Sequence, residues 1–285
     1  MPELAELPSF PLVLPRNAFS PRERARAGDL WRACQDAAVL DSMRVGWPPS
    51  RYREEGTSFI VRTMTARHHR ATAYGERLVA RTWVPRVRRD MFWTRHVRID
   101  SEEGVVLDAT QEWVHVDAKL SPSRAPAALM RAFAVVPDLG AAVEIPEIVE
   151  RVEDAPEHTL TFRCWHVWMD PLDHVNHPAY VDFVDELSSS VLARAGVAPA
   201  SLVPVAETAT YRAGVTADST VRVTARLLGL TAVGEPVVAH EVRARPRDGA
   251  AETLCARLTA VRTTAMGPEP LVAALRGPPV LVGDR

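Results

Sequence analysis

The chain spells the same succession of elements twice, and this repetition limits its folds more than any other feature. The first copy runs from a short apolar stretch, PLVL, through a polar segment to the helical pattern AGDLWRACQDAAVLDSMRV, which ends at Gly46. Alternating runs follow: SFIVRTMTA, ERLVARTWV, MFWTRHVRI and VVLDATQEWVHV. The second copy opens on TLTFRCWHV and continues through a polar loop into a helix that ends at Gly196. STVRVTARLLG, PVVAHEVRAR and TLCARLTAVRTT come after it. The two closing glycines are 150 positions apart, and the loop acids Glu76 and Asp218 are 142 apart, a drift that loop insertions explain.

One long helix followed by antiparallel strands is an α+β arrangement, because the apolar face of such a sheet is buried against its helix. Two copies can join their sheets edge to edge and remove one exposed edge from each. The expected domains are a first unit over 9–117, a Pro-rich crossing linker over 118–157, a second unit over 158–265 and a C-terminal tail over 266–285. Val221, Val223, Ala225 and Leu227 are expected on one buried strand face. Tyr180, Phe183, Val184, Leu187, Val191 and Leu192 are expected on one helical stripe.

Composition excludes several classes of function. With 34 basic against 36 acidic side chains, a formal charge of −2 gives no footprint for nucleic acid. No apolar run reaches the roughly 18 residues of a membrane span, and MPELAELPSF, with acidic residues and no apolar core, is not expected to act as a signal peptide. Cys34, Cys164 and Cys255 are scattered and odd in number, which argues for a reducing, cytoplasmic setting and against a cysteine metal site. Cys164 reads as a buried small hydrophobe.

The chemistry concentrates in MDPLDHVNHPAY, residues 169–180, between the strand and the helix of the second copy. Asn176 or His177 stands at the expected helix cap and Pro178 in the first turn. A helix N-terminus offers unsatisfied N–H groups and positive partial charge. Asp170 just upstream can serve as general base or nucleophile, or simply start an Asp-Pro turn. His174 can orient water or a carbonyl. Asp170, Asp173, His174 and His177 can be drawn as metal ligands, but a single turn rarely gathers a complete set, so no metal and no cofactor is expected.

Asp170, Asp173-His174-Val175-Asn176-His177, Tyr180 and Glu186 resemble the Asp-x-x-Gly-His-Val-Asn-Asn-x-x-Tyr signature of hot-dog-fold thioesterases of the 4-hydroxybenzoyl-CoA type. The doubled layout, with AYGERLVARTWV, EWVHVD and the SRAP at 123–126, is similar to the acyl-ACP thioesterases of plants and bacteria. The resemblance covers about residues 9–265. It implies two tandem hot-dog units, each a long helix on an antiparallel sheet. It further implies Asp170, His174 and Asn176 as catalytic residues, and Tyr180, His177 and Glu186 as substrate-binding residues. The substrate would be an acyl group carried by acyl carrier protein or CoA, handled by a monomeric pseudo-dimer or a homodimer. The pattern departs from the signature at Asp173 and His177. It departs from the acyl-ACP thioesterases at Leu172, and at Gly214 and Val215, where they carry Glu and Cys.

RNAFSPRERARAGDLW in the first copy has no Asp-x-x-x-His, so that copy is expected to lack a site. It would supply the acyl pocket: Trp31, Trp47, Trp83 and Trp93 suit a wide apolar cavity, although most tryptophans are simply core. Three functions remain open at this point. They are hydrolysis of the thioester, a repurposed hot-dog reaction (dehydration, cyclisation or acyl transfer), and non-catalytic acyl binding.

Overall fold

In a computed structural model, residues 6–21, 23–136, 139 and 143–283 are described. The chain divides into two compact units. One comprises Met1–Phe19 and Asp29–Glu144, the other Ser20–Gly28 and Ile145–Arg285.

In the first unit the strands are β1 (Ser9–Leu12), β2 (Thr57–His68), β3 (Leu78–Arg88), β4 (Phe92–Ser101) and β5 (Gly104–Asp117). They form an antiparallel sheet in the order β1-β3-β4-β5-β2. Helix α1 (Ala27–Arg44) buries Leu30, Trp31, Cys34, Ala37, Ala38 and Asp41, the stripe that a period of 3.6 puts on one side. Asp41 accepts a hydrogen bond from Arg95 of β4 at 2.9 Å, tying the helix to the sheet through a buried ion pair. Short α2 (Pro49–Glu54) follows α1, and α3 (Ala127–Ala132) follows β5. Trp47 and Trp93 pack with Leu129 and Phe133 in one apolar cluster, and Trp83 stacks on His96. The stretch after β5 is therefore packed on its unit at Ala125, Leu129 and Phe133. Residues 137–138 and 140–142 of the expected linker lie outside the described residues.

The second unit holds β6 (Glu150–Arg151), β7 (Glu157–Arg163), α4 (Ala179–Arg194), β8 (Leu202–Tyr211), β9 (Thr220–Leu230), β10 (Pro236–Arg245), β11 (Thr253–Thr264), α5 (Glu269–Arg276) and β12 (Leu281–Gly283). Its sheet order is β8-β11-β10-β9-β7-β12. Short β6 also pairs with β9, and β12 runs parallel to β7. Each half is thus a long helix on an antiparallel sheet, the α+β arrangement the sequence implied. Val221, Val223, Ala225 and Leu227 are all buried, as are the six residues of the α4 stripe. The tail is ordered by His158, whose Nε2 donates to the Leu275 carbonyl at 3.1 Å while Nδ1 accepts the Val280 N–H at 3.1 Å.

Two local expectations are corrected. The alternating run TLTFRCWHV does not stay a strand: β7 ends at Arg163, and His166–Trp168 form a 3-10 turn that stacks Trp165 flat on Trp168. Helix α4 begins later than its polar residues suggest, with Pro178 at the cap. Asn176 contributes its backbone carbonyl, which accepts the Ala179 N–H at 2.9 Å, so the chain turns once before the helix starts.

What fixes α4 is Arg262 of β11. Its guanidinium, 1% exposed, donates to Asp185 of α4 at 2.9 Å and to the equally buried Glu207 of β8. Burial works against the arginine's charge, and the two carboxylates outweigh it, leaving its pKa raised. Nearby His240 is pushed down to about 3 by burial and then by the charge of Arg262, so it stays neutral. Removing one member of a buried pair leaves the other charged and unpaired. Arg262→Ala is expected to lower unfolding stability by about 3–5 kcal/mol, read from denaturant titration. A loss below about 1 kcal/mol, the scale of a surface pair, would show that the network does not hold the helix.

Candidate active site

Residues 164–178 carry the chain from β7 to α4. Cys164 is buried, and its N–H donates to Ser219 while its carbonyl accepts from Asp218. After the 3-10 turn, the Asp170 N–H donates to the His174 carbonyl at 2.8 Å and the Asp173 N–H to the Asp170 carbonyl at 3.1 Å. Asp170 Oδ1 accepts the Leu172 N–H at 2.8 Å, the Asx turn that Asp-Pro favours. Asp173 takes a left-handed φ of 60°, a conformation that glycine adopts at no steric cost and that aspartate tolerates.

This compact turn brings His174 back over Asp170. Nδ1 stands 3.1 Å from Asp170 Oδ1, close enough for charge to couple the two although the angles fall outside a regular hydrogen bond. Burial lowers the imidazole pKa, but the carboxylate outweighs it and the net shift is upward. Gly214 lies against the ring: a Cβ there would sit 2.9 Å from His174 Cβ and 3.2 Å from Cδ2. Any side chain at 214 would displace the imidazole.

Behind the loop, the Val175 N–H donates to the Val215 carbonyl at 2.8 Å and the Asn176 N–H to the Trp168 carbonyl at 2.9 Å. The Tyr211 hydroxyl donates to the His177 carbonyl at 2.8 Å, and its ring meets Tyr180 edge-on at 5.3 Å. Burial raises the pKa of both tyrosines, which keeps their hydroxyls protonated. Asp170, His174, Asn176, His177 and Tyr180 thus share one loop and helix start. Glu186 does not join them; it is exposed on α4, while its neighbour Asp185 turns to Arg262. Tyr211 carries no signal in the sequence, where it reads only as the last residue of an alternating strand.

The first copy holds a loop of the same build, 150 positions earlier. Arg16–Ala18 form a 3-10 turn, the Ser20 N–H donates to the Arg24 carbonyl at 2.8 Å, and the Glu23 N–H donates to the Ser20 carbonyl at 2.8 Å. Glu23 has a left-handed φ of 57°, against 60° at Asp173. Ser20 stands where the second copy has Asp170, and Arg24 where it has His174. The shape of the loop therefore does not depend on the Asp170 carboxylate. Among the described residues no group of three His, Cys, Asp or Glu could hold a metal ion, and no helix is long and apolar enough to cross a membrane.

Solved structures share this architecture over nearly the whole chain. A candidate oleoyl thioesterase from Lactobacillus plantarum matches with a TM-score of 0.74 at 16% identity, over 92% of this chain and 98% of its own. An acyl-ACP thioesterase from Bacteroides thetaiotaomicron matches at 0.71 and 15% identity, over 92% and 100%. The 12:0-ACP thioesterase from Umbellularia californica matches at 0.69 and 16%, over 93% and 99%. The chain is a double hot dog. No protein-family model matches the sequence, and no curated protein matches it. The agreement with the thioesterases is accordingly one of fold.

Within the second hot dog, the closeness of Gly214 and His174 gives a direct test. Gly214→Ala should push the imidazole away from Asp170 and lower the His174 pKa toward its ordinary value, as followed by imidazole NMR titration. The same substitution in a His174→Ala background should be tolerated, because the clashing ring is gone. An unmoved titration would mean that the loop absorbs the methyl elsewhere. The sign of the pH dependence follows from the raised pKa. The Asp170–His174 contact stabilises the loop fully below the unfolded histidine value of about 6.5 and fades as pH rises through the native value.

Proposed function

We propose that this protein hydrolyses an acyl thioester, carried by acyl carrier protein or CoA, to a free acid and a free thiol. The observation that carries the reading is the Asp170 carboxylate, held beside His174 in the turn that leads into α4 of a hot-dog unit. Its Oδ1 is occupied by the Leu172 N–H and faces His174, which leaves Oδ2 as the oxygen to take a proton or attack. Water adds to the thioester carbonyl and the C–S bond breaks, or the carboxylate itself adds, expels the thiolate and holds the acyl group as a mixed anhydride that water then hydrolyses to the free acid. When water attacks, Oδ2 receives its proton and the departing thiolate takes it back. Negative charge building on the carbonyl oxygen is met by the positive end of the α4 dipole, the Ala179, Tyr180 and Val181 N–H groups being already bonded to carbonyls of the turn, and by an imidazole whose pKa is raised toward the charged form.

Asn176 belongs to the same reading as a residue that orients the reacting groups, with Tyr180 and His177 as the wall of the site behind them. Two of the thioesterases that share the fold act on acyl-ACP by name, which supports a carrier-bound substrate, and three free cysteines fit a cytoplasmic place of action. The protein would act as a single chain or a homodimer.

Because Ser20 supports the same loop in the first copy, Asp170→Asn should fold normally. It should lower turnover of acyl-CoA or acyl-ACP by about a hundredfold or more, the scale of a lost general acid–base group. In oxygen-18 water the wild type should release labelled acid and thiol in equal amounts. Undiminished hydrolysis in the variant would remove Asp170 from the chemistry. A modified but unbroken thioester would point to a repurposed hot-dog reaction, and bound but unchanged substrate to acyl binding alone.

A further inference from the structure

The first unit carries a basic recess that the proposed hydrolysis does not use. It has a volume of about 370 Å³ and is lined by Arg62, Arg88, Arg89 and Phe92. Each wall has a structural cause. The β2–β5 ladder shifts register between Val61 and Thr63, so Arg62 sits at a bulge, where a side chain is re-aimed from the regular pleat. Arg88 and Phe92 face each other across the β3–β4 hairpin. Arg89 and Asp90 in its turn have φ of 54° and 56°, a left-handed pair with no glycine to relieve it.

Such strain persists only where surrounding structure over-determines it. Here the Ala125 N–H donates to the Asp90 carbonyl at 2.8 Å, and the His115 N–H to the Met91 carbonyl at 2.8 Å. The rim is thus held from behind by Ala125 of the SRAP segment and by His115 of β5.

Charge and shape in the recess agree. The Arg88 and Arg62 guanidiniums lie 5.6 and 6.0 Å from the centre of the Phe92 ring. Glu112 accepts from Arg88 and stands 4.0 Å from Arg62, holding both in place. Arg86, two residues before Arg88 on the same strand face, is also exposed. Even with Asp90 counted, four arginines face two carboxylates on a protein whose net charge is −2.

Arginine forks match phosphate oxygens in pairs, and guanidinium planes stack on aromatic rings. The volume falls within the range of about 300–1,000 Å³ typical of small-ligand sites. A protein partner would instead need about 800 Å² of surface on each side.

We propose that this recess binds an organic phosphate of nucleotide size, its phosphates spread across Arg62, Arg88 and Arg89 and its planar body over Phe92. Neither the thioester nor Asp170 enters the recognition, so the site is tested without any reference to hydrolysis.

Isothermal titration of the full chain with adenosine 3′,5′-bisphosphate, ADP and inorganic phosphate provides the test. Saturable binding of at least one nucleotide is expected, weakening as salt rises. Arg88→Gln with Arg89→Gln should weaken it by about tenfold or more. Phe92→Ala should weaken nucleotide binding while leaving the response to inorganic phosphate unchanged. Preference for the bisphosphate would identify a 3′-phosphorylated nucleotide such as that of CoA, and preference for ADP an ordinary nucleoside diphosphate. Asp170→Asn should bind like the wild type, and thermal melts should show that the arginine variants stay folded, as exposed positions allow. No nucleotide binding, equal affinity for inorganic phosphate, or unchanged affinity in the folded variants would each overturn the proposal. So would binding of an acidic carrier protein without binding of either nucleotide.

Discussion

Arg262 is the fixed point of the second hot dog. One guanidinium with almost no exposure joins β11, β8 and α4 through Asp185 and Glu207. A hydrophobic stripe lets a helix slide or rotate on a sheet at modest cost, because burial is not directional. A buried charge with two partners allows far less freedom, since any shift that separates them leaves an unpaired charge in a medium that cannot solvate it. The position of α4, and therefore of the turn that feeds its first residue, follows from this contact. The first unit uses the same device with other residues, pairing Asp41 of α1 with Arg95 of β4.

The loop beside α4 separates what its shape needs from what its chemistry needs. Its backbone bonds recur at Ser20, Glu23 and Arg24, where no carboxylate faces an imidazole. The fold thus maintains the turn in both copies, while the side chains at the first and fifth positions differ. At Gly214 the relation is reversed, because a missing side chain makes room for His174. The imidazole fills the space, and its partner is Asp170. The candidate site is therefore a close Asp–His pair set against backbone, with Tyr211 and Val215 bracing the loop from behind.

Much of the fold was legible in the residues. Apolar alternation marks β9, where Val221, Val223, Ala225 and Leu227 share a face because side chains on a strand repeat every second position. The α4 stripe is legible for the same reason at a period of 3.6. Boundaries were less so: the alternation of TLTFRCWHV carries through Cys164 and slips phase at Trp165, whereas β7 already ends at Arg163 and Trp165 stacks on Trp168, a contact no strand period encodes. Asn176 looks like a cap by type, but the chain turns once more before the helix begins at Ala179.

The sequence by itself determined the repeat, the two helix-on-sheet units and the loop in which Asp170, His174 and Asn176 lie, because periodicity and spacing are local properties. Only the tertiary structure decided which of the polar residues meet. Glu186 and Asp185 are neighbours in the chain, but one points to solvent and the other to Arg262, 77 residues away. Tyr211 and Gly214 acquire their roles only when β8 and the segment after it lie against the loop. Such pairings depend on how distant segments pack, and no short stretch of residues carries that information.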